Sequence, residues 1–325
     1  MLIYLRGDKM IVKPYTQNLY MEALVSLNKR LKKNHPKYTP LQEELNRNTA
    51  GDIGEEAVMN FLQKVHLPYK FFAFHNVSLY GETLFQMDIL LISQYYAVIL
   101  EVKNIKGEIE FKSHPFQLSR TLTTGERNSF DSPEIQLQEY IYQLNRVFKN
   151  AGFSIPIYGA VVFPFTSSYI KIPPSETTLL FRNEIRSYLR NIKIENPPLS
   201  IEELNNLRNF ILNKTTNYKP LPLTRHFAIH PNDIINGVEC PACHFIGMRK
   251  IPRHWICPRC KNISDNAHTQ TIKDYFLVYK DTISNKECRQ FLNLNNTHEA
   301  YRILNNANLI KTGKYKDAKY TMKFM

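Results

Sequence analysis

One stretch constrains this chain more than any other: Gln86-Met87-Asp88-Ile89-Leu90-Leu91-Ile92-Ser93-Gln94-Tyr95-Tyr96-Ala97-Val98-Ile99-Leu100-Glu101-Val102-Lys103-Asn104. Two apolar runs, 89–92 and 95–100, flank the polar pair Ser93-Gln94 and predict two buried strands joined by a tight hairpin. Asp88 opens the first strand, while Glu101 and Lys103 close the second, so the hairpin returns both carboxylates to one end of a sheet. Residues two apart on a strand share a face, which points Glu101 and Lys103 one way and Val102 the other. Buried acids are costly unless paired or metal-bound, and two carboxylates beside one ammonium suit a hard divalent cation with oxygen ligands. Such an ion can polarise a phosphodiester and activate water, with the lysine stabilising developing charge or positioning the nucleophile. The competing reading of Glu101-Val102-Lys103 alone is an ion pair at a half-buried strand end. Asp88 on the preceding strand weighs against it.

Other pieces lie in a fixed order around this hairpin. Gly51-Asp52-Ile53-Gly54-Glu55 precedes it, Gly107 follows Glu101-Val102-Lys103-Asn104, and Ser132-Pro133-Glu134-Ile135-Gln136 opens a later helix. Together with Gln86-Met87-Asp88 they resemble the NERD (nuclease-related domain) branch of the PD-(D/E)XK nuclease superfamily, over roughly residues 50–165. Met87 stands where the superfamily's name places proline, and Ile89 where NERD sequences often show histidine; neither departure removes a ligand. The resemblance implies a restriction-endonuclease-like fold and hydrolysis of phosphodiesters with Mg2+ or Mn2+ on Asp88 and Glu101. It also places Glu55 in the active site, as a further ligand or base, and Gln136 at its border. Taken alone, Glu55 would read as helix-dipole stabilisation in a first turn, and Gln136 as a surface glutamine.

The 325 residues are 43% hydrophobic and 22% charged, enough for two or three globular domains. No apolar run reaches the roughly 20 residues of a membrane span and the N-terminus lacks the order of a signal peptide, so a cytoplasmic protein is expected. A formal charge of +13 favours a polyanionic partner. Without a basic amphipathic helix, nucleic acid is the expected partner and membrane is not.

Residues 1–47 read as a basic helical extension, with Lys29, Arg30, Lys32, Lys33 and Lys37 after an apolar-periodic segment. The nuclease-like domain is expected over 48–213, its first helix capped near Asn48 and carrying Ile53, Ala57, Val58, Phe61 and Leu62 inward. Gly51 and Gly54 weaken that helix, which suggests that the central sheet passes close to it. Strands are predicted at 71–79, 109–112, 116–122, 155–165 and 177–181, a Ser132-capped helix follows 131, and two helices near 184–189 and 201–212 close the domain. Residues 214–236, with Pro220, Pro222 and Pro231, read as an irregular connector.

Cys240-Pro241-Ala242-Cys243 and Cys257-Pro258-Arg259-Cys260 make C-x2-C-x13-C-x2-C, the spacing of a zinc ribbon over 237–264. Four cysteines close the coordination shell, so this zinc is expected to be structural, with His244 and His254 as bystanders and Trp255 as a stacking or packing residue. Residues 265–325 hold three helical patterns, two of them opening on Ser284-x-x-Glu287 and Asn296-x-x-Glu299 capping boxes, and then a basic hairpin. This resembles a winged helix, with Thr297, His298, Tyr301 and Arg302 facing the major groove and Lys311, Lys314, Lys316 and Lys319 meeting phosphates. A protein-interaction role for that module stays open.

The sequence therefore predicts an α/β fold, a mixed central sheet flanked by helices, followed by a zinc ribbon and a winged-helix-like α+β domain. The expected function is a metal-dependent nuclease acting on DNA, either as a homodimer or with a separate motor protein, since no G-x4-G-K-[ST] motif is present. The alternatives are a non-catalytic DNA-binding protein on a nuclease scaffold and an RNA-directed nuclease.

Overall fold

The elements of the computed structural model, which describes residues 10–216 and 221–324 without the side chain of Lys316, follow from where apolar residues recur. In chain order they begin with β1 (Ile11–Lys13), α1 (Leu19–Arg30), α2 (Tyr38–Leu62), β2 (Phe71–Tyr80), β3 (Leu84–Ser93) and β4 (Ala97–Val102). Next come β5 (Gly107–Ser113), β6 (Phe116–Thr121), β7 (Arg127–Asp131), α3 (Pro133–Asn150), β8 (Ile157–Phe163), β9 (Ser168–Ile172), β10 (Thr178–Phe181), α4 (Ile185–Asn191) and α5 (Ile201–Lys214). The chain then forms α6 (Leu223–His226), β11 (Val238–Glu239), β12 (Ile246–Ile251), β13 (His254–Ile256), β14 (Ile263–Ser264) and α7 (His268–Asp274). It ends with β15 (Ile283–Ser284), α8 (Asn285–Leu292), α9 (Thr297–Asn306), β16 (Leu309–Thr312) and β17 (Lys319–Met322).

Two compact units result, one from residues 10–16 and 48–216 and the other from 17–47 and 221–324. In the first unit a six-stranded sheet runs β1-β2-β3-β4-β8-β10. The β2–β3 and β3–β4 pairs are antiparallel, and the other three are parallel. Both faces are covered, which is why β3 and β4 read as continuous apolar runs rather than alternating ones. Phe72, Phe74, Leu90, Ile92 and Ile99 pack on one side with Leu137, Leu144 and Phe148 of α3 and Leu204, Leu207 and Ile211 of α5. Ala73, Ile89, Leu91, Val98 and Leu100 pack on the other with Val58, Met59 and Leu62 of α2 and Ile185 and Leu189 of α4. A second sheet, β7-β6-β5-β9, lies alongside the first core through Ile109, Phe111 and Leu118.

The hairpin forms as its sequence predicts. Ser93 Oγ accepts bonds from Tyr95 N and Tyr96 N at 3.1 Å each, closing the turn. The register from Ile92 opposite Ala97 to Ile89 opposite Leu100 brings Asp88 and Glu101 to the same end.

The expected helix start at Asn48 is not there. The helix begins at Tyr38 and runs unbroken for 25 residues through Asn48, Gly51 and Gly54. Asn and Gly each lower helix stability by less than about 1 kcal/mol relative to Ala, and the strong helix formers on either side carry the helix through them. Glu55 therefore sits deep inside a helix, where the first-turn dipole reading does not apply.

Residues 17–47, read from the sequence as an extension, are part of the second unit. Ala23, Leu24 and Leu27 of α1 are fully buried in the same core as Tyr275, Leu277, Phe291 and Leu304. Its Arg30 is also fully buried, and an ion pair with Asp274 at 2.9 Å compensates it. Ser26 Oγ and Gln270 Nε2 donate to the other Asp274 oxygen at 2.9 and 3.0 Å. The proline-rich 221–236 stretch contributes Leu223, Ile229 and Ile234 to that core and forms α6. The ribbon strands β11-β12-β13-β14 and a three-stranded sheet β15-β17-β16 complete the unit. The capping box of Ser284 and Glu287 forms, and Asn296 caps α9 by accepting from His298 N at 2.8 Å.

Candidate active site and cysteine centre

Alternation along β3 and β4 puts Asp88 and Glu101 on the face that carries Leu90, Ile92 and Ile99, against α3. Lys103 lies one step further along that face. Its Nζ donates to Glu101 Oε1 at 2.7 Å and to Gln136 Oε1 at 3.0 Å. Gln136 comes from the first turn of α3, which Ser132 caps by accepting from Glu134 N, and it donates to Tyr140 Oη at 2.9 Å. Asp88 Oδ2 accepts from Val102 N at 2.8 Å, so the last backbone donor of β4 is spent on the acid of β3.

Glu55 approaches from α2. A Cβ on Gly54 would stand 2.9 Å from Asn104 Cβ and 3.2 Å from Pro164 Cγ and Val102 Cγ1, so only glycine lets the helix rest on the sheet end. Asn104 fastens the contact by donating to Ala50 O at 2.8 Å. Close passage of the sheet is what the two glycines suggest in the sequence, and the structure assigns that role to Gly54.

The electrostatics are those of crowded acid. Burial, Asp52 and Glu101 push the Glu55 carboxyl up to about 8. Burial, Glu101 and Glu55 hold Asp88 well above the usual carboxylate range, against the opposing pull of Lys103. Lys103 is raised despite burial, because Glu101 and Asp88 stabilise its charge. Glu101 is 1% exposed, and its Oε2 is buried without a hydrogen-bond partner.

One contributor escapes sequence reasoning. His75, in the middle of β2, lies 2.8 Å from Glu55 Oε2 through Nε2 and has a buried, partnerless Nδ1. Burial and Lys13 lower its pKa to about 4, so near neutral pH the contact is a hydrogen bond to a neutral imidazole and not an ion pair. A lone histidine inside Phe71-Phe72-Ala73-Phe74-His75 gives no signal until β2 is placed beside α2. Beyond Lys103 and Gln136 a cleft of about 580 Å3 opens toward β6 and β7.

The donor set fits a hard cation. Two carboxylates that repel each other, one with an orphaned buried oxygen, are stabilised by a positive charge that Lys103 supplies to only one oxygen. Among the described residues the tighter donor cluster is elsewhere, in the second unit. The sulfurs of Cys240, Cys243, Cys257 and Cys260 lie within 4.8 Å of one another, and none is in a disulfide. Two opposed pairs are 3.6 Å apart, close to the ~3.8 Å edge of a tetrahedron with Zn–S bonds of about 2.3 Å.

Both knuckles have the same backbone. His244 N donates to Cys240 O and Lys261 N to Cys257 O, and both donors sit at positive φ, 57° and 62°. His244 points away to Glu239 at 2.7 Å, and His254 is exposed. Trp255 is 1% exposed and donates to His268 Nδ1 at 3.1 Å, which makes it a packing residue and not a stacking platform.

On α9, Thr297, His298, Tyr301 and Arg302 share one exposed face, while Ala300, Ile303 and Leu304 are buried. Lys311, Lys314 and Lys319 are exposed on the β16–β17 hairpin, and the side chain of Lys316 lies outside the described residues. Among the described residues no helix is long and apolar enough to cross a membrane.

Residues 50–164 match the family model of NERD, the nuclease-related domain. The matched segment contains Glu55, Asp88, Glu101, Lys103 and Gln136, and also His75. No curated protein and no solved structure matches the chain.

Proposed function

We propose that the chain is a divalent-cation-dependent nuclease that hydrolyses DNA phosphodiesters, with Asp88 and Glu101 holding Mg2+ or Mn2+. The observation that carries this reading is the partnerless, buried Glu101 Oε2 facing the same sheet end as Asp88, inside a nuclease-related domain. A cation held there would polarise the scissile phosphoryl group and favour attack by water. Lys103 uses two of its three donors on Glu101 and Gln136, and the third is free to meet a phosphate oxygen as charge develops. Gln136 steadies that ammonium from α3. Glu55, with a pKa near 8, is matched to proton transfer at neutral pH, and His75 orients it.

The second unit supplies the DNA contacts in this reading. A helix pair followed by a basic hairpin has the order of a winged helix, so α9 would enter the major groove through Thr297, His298, Tyr301 and Arg302. Lys311, Lys314 and Lys319, with Lys316 in the same hairpin, would meet phosphates. Zn2+ on the four cysteines would be structural, since no coordination position stays open.

Cleavage of labelled single-stranded DNA, duplex DNA and RNA with Mg2+ or Mn2+ tests the reading, comparing the intact protein with Lys103→Ala and Glu101→Gln. Metal-dependent cutting should fall on the order of 10²–10³-fold or more in each variant while nucleic-acid binding persists. If all three proteins bind equally and none cuts with either metal, the domain is a binding scaffold.

A further inference from the structure

The cleft beside Lys103 and Gln136 has a composition that the hydrolytic groups do not explain. Its floor is the second sheet, where Leu118 of β6 pairs with Phe130 of β7 and Phe116 lies two residues earlier on the same face. Phe116 is 36% exposed, a large aromatic left uncovered next to a charged site. Phe130 is braced: the Arg120 guanidinium lies 5.3 Å from its ring centroid and is itself fixed by two bonds to Asn128 Oδ1. A braced ring keeps its orientation without a ligand, which lowers the ordering cost of binding one. The lining also includes Gln117, Ser129 and Asp131. The cleft therefore joins one ammonium, Lys103, to an exposed aromatic surface.

That combination matches one nucleotide: phosphate at the lysine, neutral base against the aromatic surface. The cleft volume of about 580 Å3 lies within the usual range of small-ligand sites. In a duplex both faces of each base are covered by its neighbours, so a base reaches these rings only when it is unstacked. We propose that this cleft is a nucleobase subsite that takes an unstacked base next to the scissile phosphate and directs the protein to single-stranded or frayed DNA. The inference rests on the nuclease reading above for the position of the phosphate. Phe116 and Phe130 supply stacking surface.

Binding measured without Mg2+ or Mn2+ separates this inference from the catalytic one. The full chain is titrated with a single-stranded oligonucleotide and with the matching duplex. Phe116→Leu/Phe130→Leu should weaken single-strand binding about 5- to 150-fold, the stacking contribution of one base. Duplex binding should hold, and the Phe116→Tyr/Phe130→Tyr pair should restore single-strand binding. An independent arm uses the unaltered protein and oligonucleotides with one abasic residue moved along the strand, and affinity should drop at one position only. Equal loss for single strand and duplex, no loss in the leucine pair, or tolerance of the abasic residue at every position overturns the subsite. Absence of metal-dependent cutting with these binding results intact would overturn the nuclease reading and leave the base subsite standing.

Discussion

Gly51 and Gly54 lie three residues apart in one helix and should respond to the same substitution with opposite sign. Replacing a helical glycine by alanine adds roughly 1 kcal/mol through propensity alone. At Gly51 nothing opposes the gain, because the nearest atom to an added Cβ is Glu55 Oε1 at 4.0 Å. At Gly54 the same methyl meets Asn104 Cβ at 2.9 Å, with Pro164 and Val102 each at 3.2 Å. Those carbons are a Cβ, a ring atom and a β-branched methyl, none of which can swing aside. Overpacking of this kind costs about 1–3 kcal/mol, so Gly54→Ala should be destabilising by ~1 kcal/mol net, and the two variants should differ by about 2 kcal/mol. The shift would also strain the bond from Asn104 to Ala50 O and move Glu55, the next residue, away from the acids. Misplacement of about 1 Å can cost on the order of 10²-fold in rate, so nucleolytic activity should fall in Gly54→Ala and hold in Gly51→Ala. The single tryptophan, Trp255, reports on the other unit, so stability is best read by hydrogen exchange in peptides from α2 and β4 under increasing urea. A Gly54→Ala protein at least as stable as Gly51→Ala, with unchanged activity, refutes the close-approach argument.

Three further outcomes follow from the second unit and the acid cluster. Cys260→Ser should remove one bound zinc per chain by elemental analysis and shift Trp255 emission to the red as the ribbon loosens; a wild-type chain purified without zinc contradicts this. Arg30→Met should cost about 3–5 kcal/mol in Trp255-monitored urea unfolding, because it leaves the Asp274 carboxylate buried without its cation, and Arg30→Met/Asp274→Leu should recover most of that loss. A single variant as stable as the parent would mean the pair is dispensable. The metal-free first unit should lose stability as pH rises through about 8: with the Glu55 pKa raised, its contribution is complete below the unfolded value near 4.5 and gone above the folded one. A flat profile by hydrogen exchange between pH 6 and about 9 opposes it.

What was legible in the sequence was what is local. The hairpin, the knuckles and the caps of α3 and α8 are each decided within about 20 residues, so apolar runs, spacing and capping residues foretell them. Gly54 was legible in part, since its role needs both the weak helix position and the sheet that meets it. The course of α2 was hidden because Asn48 and Gly51 look like a helix start, and only the flanking formers decide that the helix continues. The place of α1 was hidden for a different reason. Lys29, Arg30, Lys32 and Lys33 read as the basic end of a helical extension, but Arg30 is fully buried because Asp274, 244 residues later, is there to meet it. His75 and the Phe116–Phe130 surface depend likewise on partners from other elements, which no window along the chain contains.

The two donor sets differ in how they manage charge, and the difference can be measured. Four thiols in two matching knuckles are preorganised for a soft ion and closed to anything else. The acid site is open and holds Glu55, Asp88 and Glu101 against one ammonium, so without a cation Glu55, raised to about 8, keeps its proton near neutral pH. A divalent ion on Asp88 and Glu101 would favour the ionised form of the neighbouring Glu55 and drive that proton off. At pH 7, binding Mn2+ to the zinc-loaded protein should therefore release up to about one proton. Calorimetric titrations in two buffers of different ionisation enthalpy read that number from the change in apparent heat. Release should shrink above pH 8 as Glu55 ionises unaided, and it should fall in Glu55→Gln. A heat independent of buffer at pH 7 would mean that Glu55 was already ionised, and the raised Glu55 carboxyl would not be a feature of this site.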